Sequence, residues 1–594
     1  MREILCSGQA QSLEFPYPGG MAALCWSPAG ERGELTVSLH YDGAYGMGEK
    51  YNAVNQKGHT AVNEVEEKFC FQGEKTYCPA PFFWTNTGFG LYAATDERTS
   101  FRFGEKAVCA ELPVDCRVVL FSGMPGEIIR DYMDLFGPAK LPPKWAFGPW
   151  ISANHWDSQE KVERAVAQAE EHGFPVCALV AEAWSDEATF YVFRGARYVP
   201  KPNGGAFRLE DFDFSDSPWP DPAGMVQRLH EKGIRFLLWQ IPVYKKQGPD
   251  EPLNAQNELD RADAVARGLC VHNADGSPYT IPEGHWFAGS MIPDFTNPAA
   301  EETWFSKRNY LTEMGIDGFK TDGGEFIYRE DVRFADGSSG RAGKNRYAQE
   351  YTAAYTKHLG SAQALFSRAG YAGQHTTPIH WAGDQQSQNS ELASALRAGL
   401  SAALTGIPFW GFDIGGFAGP LPTLDLYRRA TQMACFVPVM QWHSEPDGGQ
   451  FRELMPGGEG NNERSPWNLA AAYGKPEFVD EMRFWHNLRM ELLPYLYSVA
   501  LDCAEASKPM MRPLVYQWPE DPLVWDCEDE FLLGDSLLVA PLLEENAEKR
   551  AVYLPEGQWI GLFDRRAAAG GQTIVAGGDR RLPVFLRAGY GLAL

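Results

Sequence analysis

GIDGFKTDGGEF, residues 315–326, starts as a short buried strand and stops on polar residues. Gly315, Ile316 and Phe319 supply its turn and apolar body; Lys320, Thr321, Asp322, Gly323, Gly324 and Glu325 follow. Two carboxylates three residues apart beside two glycines make a poor core and suit a reaction centre, because glycine at a strand end lets a substrate or another backbone come close. A solvated strand-to-helix turn would use the same residue types. Two things favour the first reading. A buried strand delivering polar groups at its C-terminal end is how parallel α/β barrels present catalysis, and a second acidic segment follows about sixty residues later.

From about Leu141 onward, short apolar runs alternate with amphipathic helical stretches, the texture of βα units. Strands are predicted at WAFGPWIS (145–152), VCALVAEAW (176–184), RFLLWQIPV (235–243), DGFKTD (317–322), ALFSRAG (364–370), GIPFWGFDIGG (406–416) and ACFVPVMQW (434–442). SQEKVERAVAQAEEHG and PAGMVQRLHEKG read as two of the intervening helices, each closed by a glycine. With an eighth strand expected in the weaker stretch near 460–500, the pattern is α/β class, a (β/α)8 barrel over 141–504. Segments near 185–222 and 245–292 exceed ordinary loop length and follow predicted strands, so they should rise on the catalytic face.

Residues 1–140 carry short alternating runs (ELTVSLHYDG, FCFQG, GLYAATD, CRVVLFSG) split by turn residues, which predicts an antiparallel N-terminal sandwich. Its polar, glycine-rich YGMGEKYNAVNQKGH (Tyr45–His59) reads either as a long loop or as an arm reaching the site of the next domain. Strand texture returns over 505–594 in DEFLLGDSLLVAPLL, KRAVYLPEGQWIGLFD and RLPVFLRAGYGLAL, a small C-terminal β domain.

Composition excludes several functions. The 594 residues are too many for one core, and 44% hydrophobic with 22% charged is a globular composition. A net charge of −25 opposes nucleic acid and anionic membranes. No apolar run approaches the ~20 residues of a membrane span. Eleven cysteines, with no CxxC pair and no zinc-like spacing, argue for a reduced chain that uses no metal or other cofactor. The N-terminal MREILCSGQAQSLEFPYPGG lacks the apolar core of a signal peptide, so a cytoplasmic protein is expected. The 18 Trp, 24 Tyr and 35 Phe can stack on sugars, fill cores or permit a homo-oligomer.

Ordered by predicted strand ends, the polar residues are concentrated. The fourth strand gives Lys320, Asp322 and Glu325. The fifth gives Arg368 and, across its loop PIHWAGDQQSQ, His380, Trp381 and Asp384. Trp410, Asp413, Gln441 and His443 come from the next two. Two carboxylates facing across a barrel mouth are what glycoside hydrolysis needs. Asp322 and Asp384 are the candidates for that pair, expected at the ends of adjacent strands. A cation such as Arg368 beside them would keep the nucleophile ionised while the acid's pKa must be raised, and the residues alone do not say which is which.

In these motifs the chain resembles glycoside hydrolase family 31, the retaining α-glycosidases that include α-glucosidases and α-xylosidases. The matches are collinear: GEKYNAVNQKG, DFTNP (294–298), FKTDGGE (319–325), SRAG…HWAGD (367–384), FWGFDIGGF (409–417), the His443 strand, DEFLLGDSLLVAPLL (529–543) and YLPEGQW (553–559). They span essentially the whole chain. FLLGDSLLVAP is the most specific, and FKTDGGE leans toward the α-xylosidase-like branch.

The resemblance implies Asp322 as nucleophile and Asp384 as general acid/base. Lys320, Arg368, Trp381, Trp410, Asp413 and His443 would surround the reacting sugar. Glu182 and Trp184 stand where many relatives place an aspartate that reads the far hydroxyls, and Trp239 of the third strand joins this substrate-binding set. The family's second distal β domain is expected to be absent. The implied reaction is exo-acting hydrolysis of a terminal α-linked sugar on a small α-glycoside or oligosaccharide. An α-glucoside comes first; α-xyloside, α-galactoside or transglycosylation on the same residues are the alternatives. A silent sugar-binding protein would have lost one carboxylate, and a metal-dependent barrel hydrolase would respond to chelators.

Overall fold

The computed structural model describes residues 1–445, 462–579 and 581–590. Eight parallel strands close into a barrel: β1 Pro149–Ala153, β2 Ala178–Ala181, β3 Arg235–Gln240, β4 Gly318–Thr321, β5 Ala364–Ser367, β6 Ile379–Trp381, β7 Trp410–Asp413 and β8 Val439–Ser444. Neighbours around the ring follow chain order, and β8 pairs back onto β1 with Ile151 opposite Trp442. Every residue of β2 and β4 is buried, since helices cover the outside of a parallel barrel and side chains fill its inside.

The seven predicted strands are present in shorter form. The eighth is not near 460–500, where the described residues are helical (Pro466–Ala472 and Glu477–Ala506) and 460–461 lie outside the described residues. It is β6, inside the segment expected to be the loop after β5. Three residues are too few to show a period. The two predicted helices form over Gln159–Glu171 and Pro222–Glu231, started by Ser158 and Asp221 side chains that accept from Lys161 N and Gly224 N. Each is followed by a glycine in the left-handed region, Gly173 and Gly233.

Ahead of the barrel, a five-stranded and a six-stranded antiparallel sheet enclose a core that includes Trp26, Phe83 and Phe101. FCFQG is not one of their strands. Phe69–Gly73 lies in the loop between Thr60–Asn63 and Pro79–Thr85, with Cys70 and Phe71 at positive φ.

The Tyr45–His59 stretch reaches the barrel as an interdomain strut. Glu49 accepts from Trp410 Nε1 (2.8 Å) and Tyr51 OH donates to Ala382 O (2.8 Å). Val54 N donates to Glu528 Oε1 and Asn55 Nδ2 to Asp526 Oδ1, both at 2.7 Å. The C-terminal part is a six-stranded and a two-stranded antiparallel sheet that starts at Met511. Both long insertions hold little regular structure, chiefly a helix over Ala255–Arg267. No helix among the described residues is long and apolar enough to cross a membrane.

Candidate active site

A cavity of about 560 Å³ opens at the C-terminal end of the barrel, lined in part by Glu182, Trp239, Lys320, Asp322, Arg368 and Asp384. Its size suits a small organic ligand. Asp322 is the first residue past β4, and its N–H donates to Gln240 O (2.9 Å), tying the strand end to β3. Its Oδ2 accepts from Trp239 Nε1 at 2.9 Å. Its Oδ1 accepts from Gly323 N at 2.8 Å and lies 3.1 Å from Arg368 Nη1. Gly323 sits at φ +70°, and a Cβ there would stand 2.6 Å from the Ile241 side chain, so this turn needs glycine.

Arg368, first past β5, is gripped on its other edge. Nε and Nη2 donate to the two oxygens of buried Glu325 at 3.1 and 3.2 Å, and the guanidinium lies over the rings of Tyr77 and Trp286. The free corner, Nη1, is 3.7 Å from Asp384 Oδ2. Asp384 follows β6. The two aspartates therefore do not stand on adjacent strands: β5 runs between them, which is why Arg368 can face both. Burial pushes the Asp384 carboxyl up to about 8, with Arg368 pulling it down and Asp322 pushing it further up.

Lys320, in β4, is buried and paired with Glu182 Oε1 at 2.5 Å, its ammonium 4.7 Å from the centre of the Trp381 ring. Burial disfavours a charged lysine, yet Glu182, Asp413 and Asp322 together raise Lys320 above its ordinary value. His443 Nδ1 lies 2.8 Å from Ser152 Oγ. Burial, reinforced by Lys320, lowers the imidazole to about 3, so it is neutral. Asp413 Oδ1 accepts from Gln441 Nε2 at 2.7 Å.

Trp381 Nε1, Asp413 Oδ2 and His443 Nε2 are buried and make no hydrogen bond among the described residues, an uncommon state that suits groups meant for a polar ligand. Five of the expected ligand contacts, Trp184, Trp381, Trp410, Asp413 and His443, are not among the residues lining the cavity, and two of them are already committed elsewhere. Trp184 is fully buried and donates to Trp239 O (2.9 Å), supporting the residue that holds Asp322. Trp410 does not line the cavity; it packs on the helix Asn389–Ala403 at Gly399 and bonds Glu49.

Several lining residues went unnoticed in the sequence. Glu67 and Phe69 come from the N-terminal loop, Phe417 follows β7, and Glu187, Lys245 and Trp286 come from the two insertions. The signals in the sequence were the length of the insertions and, for Phe417, its place at the end of the FWGFDIGGF motif (409–417). Phe69 meets Phe417 edge-on, and Gln72 Nε2 donates to Asp384 O at 3.3 Å. Among the described residues one group has metal-capable donors, Cys527, Asp529 and Glu530. It does not line the cavity, and Arg550 already supplies its cation at 2.6 Å from Asp529.

Comparison with known proteins matches the family 31 glycosyl hydrolase TIM-barrel domain to residues 139–499 and that family's C-terminal domain to 507–591. The isomaltosyltransferase of Sporosarcina globispora is 36% identical over 92% of this chain and 50% of its own length. The 1,3-alpha-isomaltosidase of Kribbella flavida is also 36% identical, over 92% of this chain and 76% of its own. The cycloalternan-forming enzyme of Listeria monocytogenes, solved with a pentasaccharide substrate, superposes with a TM-score of 0.91 at 36% identity over 96% of this chain and 56% of that one. This chain thus spans about half the length of two of these three relatives. With its parallel barrel between antiparallel sheets and both domain matches in chain order, the protein belongs to glycosyl hydrolases family 31.

Proposed function

We propose that the chain is a retaining, exo-acting α-glycoside hydrolase that removes a terminal non-reducing α-linked unit, with glucose in the reacting position. The observation that carries this is the pair Asp322 and Asp384 on one nitrogen of Arg368, at 3.1 and 3.7 Å, with burial raising the Asp384 carboxyl to about 8. Those oxygens lie at most about 7 Å apart, which admits the ~5–5.5 Å of a retaining pair and leaves out most of the ~6.5–9.5 Å range of an inverting one. Asp322, oriented by Trp239 and Gly323, attacks the anomeric carbon from the β face while Asp384 hands its proton to the leaving oxygen. Asp384 then takes a proton from water, and the α-sugar leaves. The buried polar atoms of Trp381, Asp413 and His443, with the Lys320–Glu182 pair, would read the hydroxyls of the sugar. A cytoplasmic site of action belongs to the same proposal, supported by eleven free cysteines.

The test is a panel of 4-nitrophenyl glycosides: α-glucoside, α-xyloside, α-galactoside and a β-glucoside control. Nitrophenol from one α substrate and none from the control is expected, with Asp322→Asn losing roughly three orders of magnitude or more in kcat. An Asp322→Asn protein with near-normal turnover would sink the assignment. Transfer to a sugar acceptor is the second reading. It is favoured by the aromatic wall of Phe69 and Phe417 beside the Asp384 segment, where Phe417 N donates to Gln385 O at 2.8 Å. An acceptor sugar could stack there, and one relative is named a transferase.

A further inference from the structure

Behind the nucleophile, away from the cavity, stands a buried polar cluster that the chemistry above does not use. Asp322 is held twice from the end of β3: its N–H donates to Gln240 O (2.9 Å), and its Oδ2 accepts from Trp239 Nε1 (2.9 Å). Both holds depend on where the backbone of Trp239 and Gln240 lies. The Gln240 side chain, fully buried and absent from the cavity lining, fixes that backbone with every group it has. Nε2 donates to Trp239 O (2.9 Å) and, across to the first insertion, to Phe190 O (2.8 Å). Oε1 accepts from Tyr355 OH (2.8 Å), on the helix Gly340–His358, and from Arg308 Nε (2.6 Å). One carboxamide thereby joins β3, the insertion after β2 and the segments on either side of β4. The Phe190 carbonyl that it holds belongs to a residue at φ +58°, a left-handed backbone that needs support, whose ring packs edge-on against the Trp239 indole.

Arg308 is the member of this cluster that stability does not explain. It is fully buried, its guanidinium lies 3.7 Å from the centre of the Trp304 ring, and Nη1 donates to Trp304 O (2.9 Å). Its neighbour Lys307 has a carboxylate partner, Asp260 at 2.7 Å. Among the described residues Arg308 has no carboxylate within ion-pair distance, and its Nη2 makes no hydrogen bond. A buried charge without a counter-ion weakens a fold, and an apolar side chain of similar volume would serve stability as well or better. What the charge does instead is act on Gln240. A charged N–H on Oε1 polarises the amide and strengthens both Nε2–H donations, those to Phe190 O and Trp239 O. From there the path leads to Asp322, through the Trp239 indole and through Gln240 O.

We propose that Arg308 is a positioning residue for the nucleophile, acting through the Gln240 carboxamide to set where the Asp322 carboxylate stands. This rests on the α-glycosidase reading, and the test keeps the two apart. Arg308→Met, Gln240→Met and the double variant are compared with the parent on whichever 4-nitrophenyl α-glycoside the parent cleaves. Thermal melts and near-ultraviolet circular dichroism read the folding of each. Each single variant should lose about tenfold or more in kcat with KM within about twofold of the parent, since neither side chain touches the cavity. Arg308→Met should melt within a few degrees of the parent, because the change removes an unpaired buried charge. The double variant should be no slower than Gln240→Met alone, the mark of one residue acting through the other. Parental kcat in either single variant, rates that fall only with the folded fraction, or losses that multiply in the double variant overturn the inference and leave the α-glycosidase standing. If Gln240→Met does not fold, the kcat and KM of Arg308→Met decide. An Arg308→Met chain that does not fold makes the residue structural and overturns the inference. A parent that cleaves no α-glycoside overturns both.

Discussion

Arg368 turns one corner of its guanidinium toward two carboxylates that have to behave differently. Asp322 accepts hydrogen bonds from Trp239 Nε1 and Gly323 N, whereas burial raises the Asp384 carboxyl to about 8. On the alkaline side kcat/KM should therefore hold to about pH 8 and then fall as Asp384 loses its proton. The same shift has a stability sign. An unfolded aspartate titrates near ~3.9, so the folded chain keeps a proton that the unfolded chain sheds, and stability declines as pH rises from ~4 toward 8. Asp384→Asn should then match the parent's Tm at pH 4 and exceed it at pH 8, while losing most activity. Calorimetry showing a Tm gap that does not widen with pH would contradict this. Asp322, Arg368, Lys320, Glu182 and Trp239 could be placed at the barrel mouth from the sequence because each lies near the end of a predicted strand, whereas Asp384 follows β6, which reads in the sequence as part of a loop. Glu187 and Phe69 could not be placed there, because only the docking of distant loops brings them to the cavity.

β4 reaches the mouth in register because it can approach β5 closely. Gly318 opens that strand at φ +155°, and a Cβ there would stand 1.9 Å from Ala364 O of β5. Gly318→Ala should push the strands apart, cost on the order of 1–3 kcal/mol, and reduce kcat/KM more than tenfold by misplacing Asp322 four residues on. Denaturant melts and 4-nitrophenyl glycoside kinetics measure the two effects; parental values in both would contradict the register. Long apolar strands flanked by capped helices could be read directly from the residues. β6 could not, since Ile379–Trp381 is short and its identity depends on pairing with both Phe366–Ser367 and Trp410–Gly411. Burial alone hid the orientation of Trp410: an indole in a sequence does not say whether it faces a sugar or, as here, Glu49.

At the scale of the whole molecule, the order sandwich, barrel, small β domain followed from texture: alternating runs, then βα alternation, then strands again. Which loops cross between these bodies did not, because interdomain contacts leave no period in a sequence. One such crossing has a thermal consequence. The Tyr45–His59 stretch bonds Trp410 and Ala382 in the barrel and Asp526 and Glu528 beside the C-terminal sheets. Heat that loosens any one body also strips partners from buried groups in the other two, Glu49 among them. A calorimetric scan should show one endotherm for all three bodies, where independent units would melt in steps. Separate peaks would contradict this. A single peak means that the barrel does not outlive its neighbours: the chain loses its chemistry and its shape in the same few degrees.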